Sequence, residues 1–152
     1  MRYPMLAIAV WFAAAASAAA QTPLAGPGQP GWSRTDEGCF VWNAKPSTDE
    51  TVSWTGGCAN GRASGTGVRQ WKSGSTPGSR YSGTMVDGKE EGHGTLTYSN
   101  GDQYDGEWQD GKPNGPGIFV TPTGVIRGKW KDGCFDDGVQ RAWVAVDHAS
   151  CP

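Results

Sequence analysis

Two similar stretches of sequence decide the fold: Tyr81–Gly88 reads YSGTMVDG, and Tyr104–Gly111 reads YDGEWQDG. The period between them is 104 − 81 = 23 residues. Each stretch is followed by a Gly-x-Gly segment, at Gly92–Gly94 and at Gly115–Gly117. A fixed period of roughly 20–50 residues is typical of stacked supersecondary units, each of which buries its apolar face only against its neighbours. The repeat therefore determines the fold class.

Alternation within the repeat predicts β-strands. Tyr81, Gly83 and Met85 fall on one face of an extended chain, and a large apolar residue at every second position indicates a half-buried strand. Gly, Asn and Asp accept a positive φ, so they favour tight turns between paired strands. Turn dipeptides lie within the units and between them: Asp87-Gly88, Asp110-Gly111, Asn100-Gly101 and Thr123-Gly124. Each unit is therefore predicted to be a β-hairpin.

Glycines recur on the face that the aromatic residues occupy. Glycine weakens a strand, so its presence there needs a structural reason. Because glycine has no Cβ, we expect the aromatic rings of the neighbouring hairpin to lie flat over these positions. The alternative is that the glycines mark β-bulges. The glycines concerned are Gly83, Gly92, Gly94, Gly106, Gly115 and Gly117.

The pattern continues in both directions. Trp54–Gly61 aligns with Tyr81–Gly88 at a spacing of 81 − 54 = 27 residues, and we place the four additional residues in a loop at Gly74–Ser79. Downstream, Ile126–Gly133 restarts the unit and then departs from it. We predict repeats at about 54–80, 81–103 and 104–125, with a partial repeat at 126–138. The expected repeat core comprises Trp54, Gly56, Tyr81, Gly83, Gly92, Gly94, Tyr104, Gly106, Trp108, Gly115, Gly117, Gly128 and Trp130.

The order Tyr-x-Gly-x-aromatic-x-x-Gly, followed by Gly-x-Gly, resembles the MORN repeat. Tyr104–Gly117 matches it closely, whereas Tyr81–Gly94 has Met85 and Trp54–Gly67 has Cys58 where an aromatic residue is common. The resemblance covers about half of the chain and implies an all-β fold, an elongated open antiparallel sheet of consecutive hairpins. It also implies an interaction or scaffold role without chemistry of its own, with binding to anionic lipids often proposed.

The N-terminus has the features of a secretory signal peptide. Arg2 precedes an apolar run from Met5 to Ala16, which is shorter than the roughly 20 residues of a membrane span. Small residues then lead to Ala20-Gln21, the predicted cleavage site. We therefore predict a signal peptide at 1–20, a flexible Pro/Gly-rich tether at 21–38, and one repeat domain at 39–152 with a C-terminal cap at 134–152. The alanine-rich signal favours a bacterial protein that is periplasmic or secreted.

All four cysteines follow the predicted cleavage site. An even number of cysteines in an exported chain predicts disulfide bonds, although four cysteines allow three pairings. Cys39–Cys58 and Cys134–Cys151 are favoured, because each pair flanks one end of the repeat array and would cap it. The chain has no Cys-x-x-Cys and only two histidines, so neither a metal nor another cofactor is expected.

No set of residues indicates catalysis. His93 occupies an outward strand position without a nucleophile nearby, and His148 follows Asp147 without a nucleophile for that pair to activate. We predict a noncatalytic exported interaction or scaffold protein that binds another envelope component. The alternative from another class is a small carbohydrate-active enzyme or glycan-binding module. A cleft that gathers His148 with two carboxylates would favour that alternative.

A second alternative is a peripheral module that binds anionic lipid head groups. Its bases would be Arg62, Arg69, Lys72 and Arg80, which lie in a stretch, Thr51–Val86, without an acidic residue. The net charge opposes an anionic target, since it is −2 for the chain and 12 − 15 = −3 after cleavage. Export disfavours nucleic acid as a partner. An edge strand could instead pair with a partner segment or with a second copy as a homodimer.

Tryptophans provide the remaining candidate surface. Trp54, Trp108 and Trp130 occupy the core-facing aromatic register, and Trp71 is expected in the core as well. Trp42 and Trp143 lie outside the repeats and are expected to pack in the end caps. An aromatic groove left open on the sheet could hold a glycan or an extended peptide.

Overall fold

The computed structural model describes residues 31–44 and 47–152. These residues form β-strands and one 3₁₀ turn at His148–Ser150, and they contain no α-helix. None of their elements is a helix long and apolar enough to span a bilayer. The predicted signal peptide and residues 21–30 of the predicted tether lie outside the described residues. The strands are β1 (Trp32–Arg34), β2 (Phe40–Trp42), β3 (Glu50–Trp54), β4 (Gly57–Ala59), β5 (Arg62–Ser73), β6 (Thr76–Val86), β7 (Lys89–Thr97), β8 (Gln103–Gln109), β9 (Lys112–Thr121), β10 (Gly124–Trp130), β11 (Cys134–Asp136) and β12 (Arg141–Trp143).

The sheet is an open series of antiparallel hairpins, as the repeat predicts. Strands β5 to β10 pair in sequence order, and the described residues form one sheet of ten strands and a second sheet in which β11 pairs with β12. The N-terminal segment adds strands to those of the repeats. In particular, β1 pairs with β2, so Trp32–Arg34, which we predicted as part of a flexible tether, form a strand.

The turns predicted at Asp87-Gly88 and Asp110-Gly111 have the predicted chemistry, whereas the turn predicted at Thr123-Gly124 lies one residue earlier, at Pro122-Thr123. Asp87 and Gly88 adopt φ values of 49° and 78°, and Asp110 and Gly111 adopt 50° and 81°. Positive φ at both central residues defines the turn type that matches the twist of paired strands. The dipeptides Asn60-Gly61 and Asp132-Gly133 have the same conformation. We call these four turns the hairpin tips.

The additional residues of the first repeat lengthen its strands and form no loop. Strand β5 continues to Ser73 and β6 begins at Thr76, with only Gly74 and Ser75 between them. A register shift between Gln70 and Lys72 absorbs the remaining mismatch. The predicted loop at Gly74–Ser79 is therefore wrong, because pairing two longer strands satisfies more backbone groups than an open loop would.

A row of glycines crosses the sheet under the aromatic rings. Cross-strand pairing aligns Gly67, Gly83, Gly94, Gly106, Gly117 and Gly128 on six adjacent strands. A Cβ added to Gly94 would lie 2.3 Å from the hydroxyl oxygen of Tyr81, and one added to Gly117 would lie 2.3 Å from that of Tyr104. Each ring thus covers glycines of its own hairpin. Our expectation of rings from the neighbouring hairpin is wrong in this respect, because each tyrosine bends along its own strand.

The first glycine of each Gly-x-Gly has a different function. Gly92 and Gly115 have φ values of 66° and 120°, a conformation that favours glycine. The register of β6 with β7 shifts after Gly83, and that of β8 with β9 shifts after Gly106. The bulge interpretation therefore holds for these first glycines, and the ring-packing interpretation holds for the second ones.

The core is a column of aromatic side chains that runs across the strands. The ring centroids of Tyr81 and Trp108 lie 5.4 Å apart, those of Trp108 and Tyr104 lie 5.3 Å apart, and those of Tyr104 and Trp130 lie 5.1 Å apart. Each pair meets edge to face, the arrangement that the charge distribution of aromatic rings favours. All four side chains are buried, as are Trp54 and Trp71, as predicted.

Successive hairpin tips are joined by a second hydrogen-bond ladder. The N–H groups of Gly88, Gly111 and Gly133 donate to the carbonyls of Ala63, Glu90 and Pro113, at 2.9, 3.0 and 2.9 Å respectively. Each acceptor lies two residues after the preceding tip glycine. Neighbouring repeats are therefore connected through the sheet and again through their tips.

Disulfide-bonded caps close the tip ladder at both ends. Cys39 pairs with Cys58 and Cys134 pairs with Cys151, which are the pairings that the positions favour. At the first end, the N–H of Phe40 donates to Gly61 at 2.8 Å, and at the last end that of Val144 donates to Gly133 at 2.9 Å. Disulfides persist in oxidising compartments, so their presence favours a non-cytoplasmic location.

The glycine row gives a test of the ring contact. We expect Gly94→Ala to destabilise the protein by about 3 kcal/mol, because its Cβ would overlap a ring that Tyr81 anchors through a 2.9 Å hydrogen bond to Thr84. Urea unfolding followed by tryptophan fluorescence measures the change. Gly124→Ala is the matched control, because its Cβ meets no atom within 4 Å. Equal stability of both variants would show that the ring contact contributes nothing.

Candidate binding site at the end of the hairpin array

The first edge of the array is sealed by the N-terminal segment. The N–H of Asp36 donates to the carbonyl of Val52 at 3.0 Å, and the carboxylate of Glu37 accepts from the N–H of Trp54 at 2.8 Å. Burial alone would raise the pKa of Glu37, but hydrogen bonds, that from Trp54 foremost, outweigh it and lower the pKa. Outward backbone groups of β3 are therefore occupied, which is one way in which proteins prevent edge-to-edge association.

The last edge of the array, on β10, is open. Lys131 and Cys134 exchange both backbone hydrogen bonds, each 2.9 Å long, and the chain then leaves β10. Because outward and inward groups alternate along a strand, Val125, Arg127 and Lys129 direct their N–H and C=O to the same side as Lys131. Within the described residues β10 pairs only with β9. The fourth hairpin therefore has its first strand and its tip, but no full second strand.

A cavity of about 350 Å³ lies beside the open edge, between β10 and the C-terminal cap. The ring of Phe135 covers Gly128, the last glycine of the row, and occupies space that a second strand would approach. We call this cavity the C-terminal cleft. Residues that line it include Lys129, Lys131, Phe135, Arg141, Trp143 and His148.

The C-terminal cleft combines bases with an exposed aromatic ring. Lys129 and Lys131 are exposed, and no carboxylate of the described residues lies within salt-bridge distance of either. Trp143 is 45% exposed, and its ring centroid lies 4.6 Å from that of His148. The expectation that Trp143 packs in the cap is therefore wrong. An exposed indole beside lysines is typical of a surface that binds a partner.

The cleft also gathers His148 with two carboxylates, the arrangement that would favour an enzyme. Asp136, however, is bound to the guanidinium of Arg141 at 2.8 Å and accepts the N–H of Gly138 at 2.8 Å. Neither Asp136 nor Asp132 forms a salt bridge with His148 in the part of the chain that the structure describes. The other histidine, His93, is exposed and 3.4 Å from Asp105.

The structure does not assemble the predicted basic site. Arg69 is buried and forms an ion pair with Glu90. The guanidinium carbon of Arg69 lies 5.8 Å from the ring centroid of Trp71 and 5.7 Å from that of Tyr81. Arg62 lies against the ring of Trp32 at 4.6 Å, and Lys72 and Arg80 are exposed. The four bases therefore do not form one surface, because strand alternation sends Arg69 to the core face.

The Arg69–Glu90 ion pair replaces apolar residues of the repeat. Arg69 occupies the position of Leu96, and Glu90 occupies that of Pro113. Glu90 closely follows the turn Asp87-Gly88, yet its side chain is only 5% exposed. The repeat alignment contains the signal that could have revealed the pair, since it places an acid and a base at core-facing positions of nearby strands. Without a partner either charge would be strongly destabilising there.

The fold and the site define a class: an all-β protein of stacked hairpins, capped by disulfides, whose open features are an edge strand and a cleft. The family model described as MORN repeat matches residues 59–76, 81–103 and 104–126. Three units of the hairpin array therefore match the MORN repeat. No curated protein matches the sequence. MORN repeats generally mediate contacts with proteins or membranes and generally carry no catalytic function.

The sealed edge gives a prediction for Glu37. Glu37→Ala should lower the hydrogen-exchange protection of the Trp54 amide about tenfold at neutral pH, because the amide loses its acceptor. A lowered folded-state pKa means that the stabilisation is present above the ordinary value of 4.5 and is lost as the pH falls through the folded value. Glu37→Gln is the control. Glu37→Gln keeps a hydrogen-bond acceptor, so the protection of the Trp54 amide in this variant should not decline as the pH falls. Unchanged protection in Glu37→Ala would contradict the seal.

The buried ion pair gives a second prediction. Glu90→Ala should destabilise the protein by about 3–5 kcal/mol, because it leaves the charge of Arg69 buried without a partner. Arg69→Leu combined with Glu90→Ala restores the apolar character of equivalent positions and should recover most of that loss. Chemical unfolding of the single and double variants measures the coupling. A double variant less stable than Glu90→Ala would contradict this account.

Proposed function

We propose that this protein is a noncatalytic exported interaction protein that binds another protein of the cell envelope through the last end of its array. The binding surface comprises the open edge of β10 and the C-terminal cleft. The observation that carries this proposal is the difference between the two ends. The N-terminal segment occupies the edge of β3, whereas β10 has no cover within the described residues.

Side chains near β10 support a binding role. Val120 and Val125, which face each other on β9 and β10, are 40% and 46% exposed, and Trp143 adds a third apolar surface in the cleft. Exposed apolar residues with nearby bases are typical of protein-binding surfaces. The disulfides and the N-terminal sequence support export, and they make an envelope component the expected partner.

Binding to anionic lipid is the alternative that the family suggests. The structure gives it less support, because Arg69 is buried and paired, and Lys72 and Arg80 are the exposed bases of the predicted site. A peripheral lipid site needs several bases near one surface. We therefore place the partner at β10 and use the predicted basic site as the control in the test.

Site-specific photocrosslinking in cells that produce the protein tests this proposal. A benzophenone side chain at Arg127 should give a covalent adduct with a protein, and the same group at Lys72, an exposed base away from β10, should not. Mass spectrometry identifies the adducts. Phospholipid adducts at Lys72 would replace the proposal with the lipid alternative. Protein adducts at both positions in equal yield, or no adduct at either, would reject β10 as the binding surface.

A further inference from the structure

We infer that β10 accepts an acidic, extended segment of a partner protein as an added antiparallel strand. The segment takes the place of the second strand that the fourth hairpin lacks. This inference rests on the proposed function and specifies the chemistry of the partner segment.

The backbone of β10 provides the docking groups. Val125, Arg127 and Lys129 direct three N–H and three C=O groups away from β9, in the same direction as the paired groups of Lys131. In the second and third repeats the equivalent edge is filled by β7 and by β9. Main-chain hydrogen bonds to an edge strand provide affinity in peptide recognition, and side chains at alternate positions provide specificity.

The charges on β10 select the sign of the partner segment. Arg127 faces Ile118 across the β9–β10 pair, and Lys129 faces Pro116, so both bases have uncharged cross-strand neighbours. Beyond Ile118, the same line of cross-strand neighbours reaches Asp105 on β8, whose carboxylate accepts a 2.5 Å hydrogen bond from the hydroxyl of Thr95. Opposite charges directly across a strand pair stabilise it, and like charges destabilise it. Acidic residues on the incoming strand would supply the missing partners.

The same bases disfavour a second copy of this chain as the occupant. Antiparallel pairing of two β10 strands about a twofold axis would bring Arg127 and Lys129 of both copies onto one short stretch of one face. Like charges that close oppose association. Pairing of β10 with the β3 edge of another copy is opposed by the N-terminal segment, because Asp36 and Glu37 already bond to that edge.

The cleft defines the order of residues in the segment. The ring of Phe135 lies over Gly128, so the incoming residue opposite Gly128 must be small, as Gly117 is opposite Gly106. Acidic residues flank that position, opposite Arg127 and Lys129, and an apolar residue follows opposite Ile126. An antiparallel strand enters from the side of Trp130, so its N-terminal part lies towards the cleft and the exposed ring of Trp143.

A designed peptide tests the inference on the oxidised chain. The probe is the capped heptapeptide Thr-Glu-Gly-Glu-Val-Thr-Thr, whose glutamates would face Lys129 and Arg127. We expect saturable binding, and at least tenfold slower hydrogen exchange at the amides of Val125, Arg127 and Lys129 in NMR spectra. The amide of Val86, on a strand inside the sheet, is the internal control and should not change.

Two altered peptides separate strand addition from charge attraction. The lysine version, Thr-Lys-Gly-Lys-Val-Thr-Thr, should bind at least tenfold more weakly. A version with N-methyl groups on both glutamates keeps the charge but loses the donors that face β10, and it should also bind at least tenfold more weakly. Equal binding of the methylated peptide would overturn strand addition, and so would the absence of binding by the acidic peptide.

Charge reversal on the protein completes the test. Arg127→Glu with Lys129→Glu should invert the preference, so that the lysine peptide binds and the glutamate peptide does not. Lys72→Glu with Arg80→Glu is the matched control, because it makes the same change of charge at exposed positions away from β10. Equal weakening by both pairs would overturn the inference. Photocrosslinking of a protein at Arg127 without peptide binding would retain the proposed function and reject only the added strand.

Discussion

The contact between aromatic rings and glycines is the constraint on which this structure depends. A single-layer sheet has no second layer to bury its side chains, so large rings must find cover within the layer itself. Glycine makes this possible, because a ring can lie directly on the backbone where a Cβ would otherwise be. Tyr81 and Tyr104 thereby become buried, and Trp108 fits between them edge to face. The backbone serves as one wall of the core, which allows a thin array to exclude water.

The sequence contains most of the fold in local form, and this is why it could be predicted. The period, the turn dipeptides and the alternation of large and small residues each depend on neighbours a few positions away. The predictions that the structure contradicts concern contacts that local sequence patterns do not encode. Which hairpin supplies the ring over Gly94 depends on side-chain direction, and the burial of Arg69 depends on Glu90, which lies on another hairpin. Exposure of Trp143 depends on where the cap leaves the array.

The ends of the array explain features that the repeats do not. A stack of hairpins always has two terminal strands, and each exposes backbone groups that can associate. In this protein the N-terminal segment bonds to one terminal strand, and the C-terminal segment turns away from the other to form a small sheet with a disulfide. The sequence left open that an edge strand pairs with a partner, but no motif identifies which edge, because the candidate site consists of a strand position left unfilled. Only the pairing of β10 reveals it.

The tip ladder divides the array into two sides with different freedom to change length. On the side of the tips, each turn is bonded to the next, so a residue inserted at Asp87-Gly88 would displace the following turns as well. On the opposite side, the turn at Gly74-Ser75 is bonded to Asp49, which precedes β3, but the described residues show no bond that links the turn at Pro122-Thr123 to a neighbouring turn. The first repeat already contains four more residues on this side than its successors. Evolution can therefore lengthen the repeats on that side alone, and a reporter segment inserted by design belongs there too.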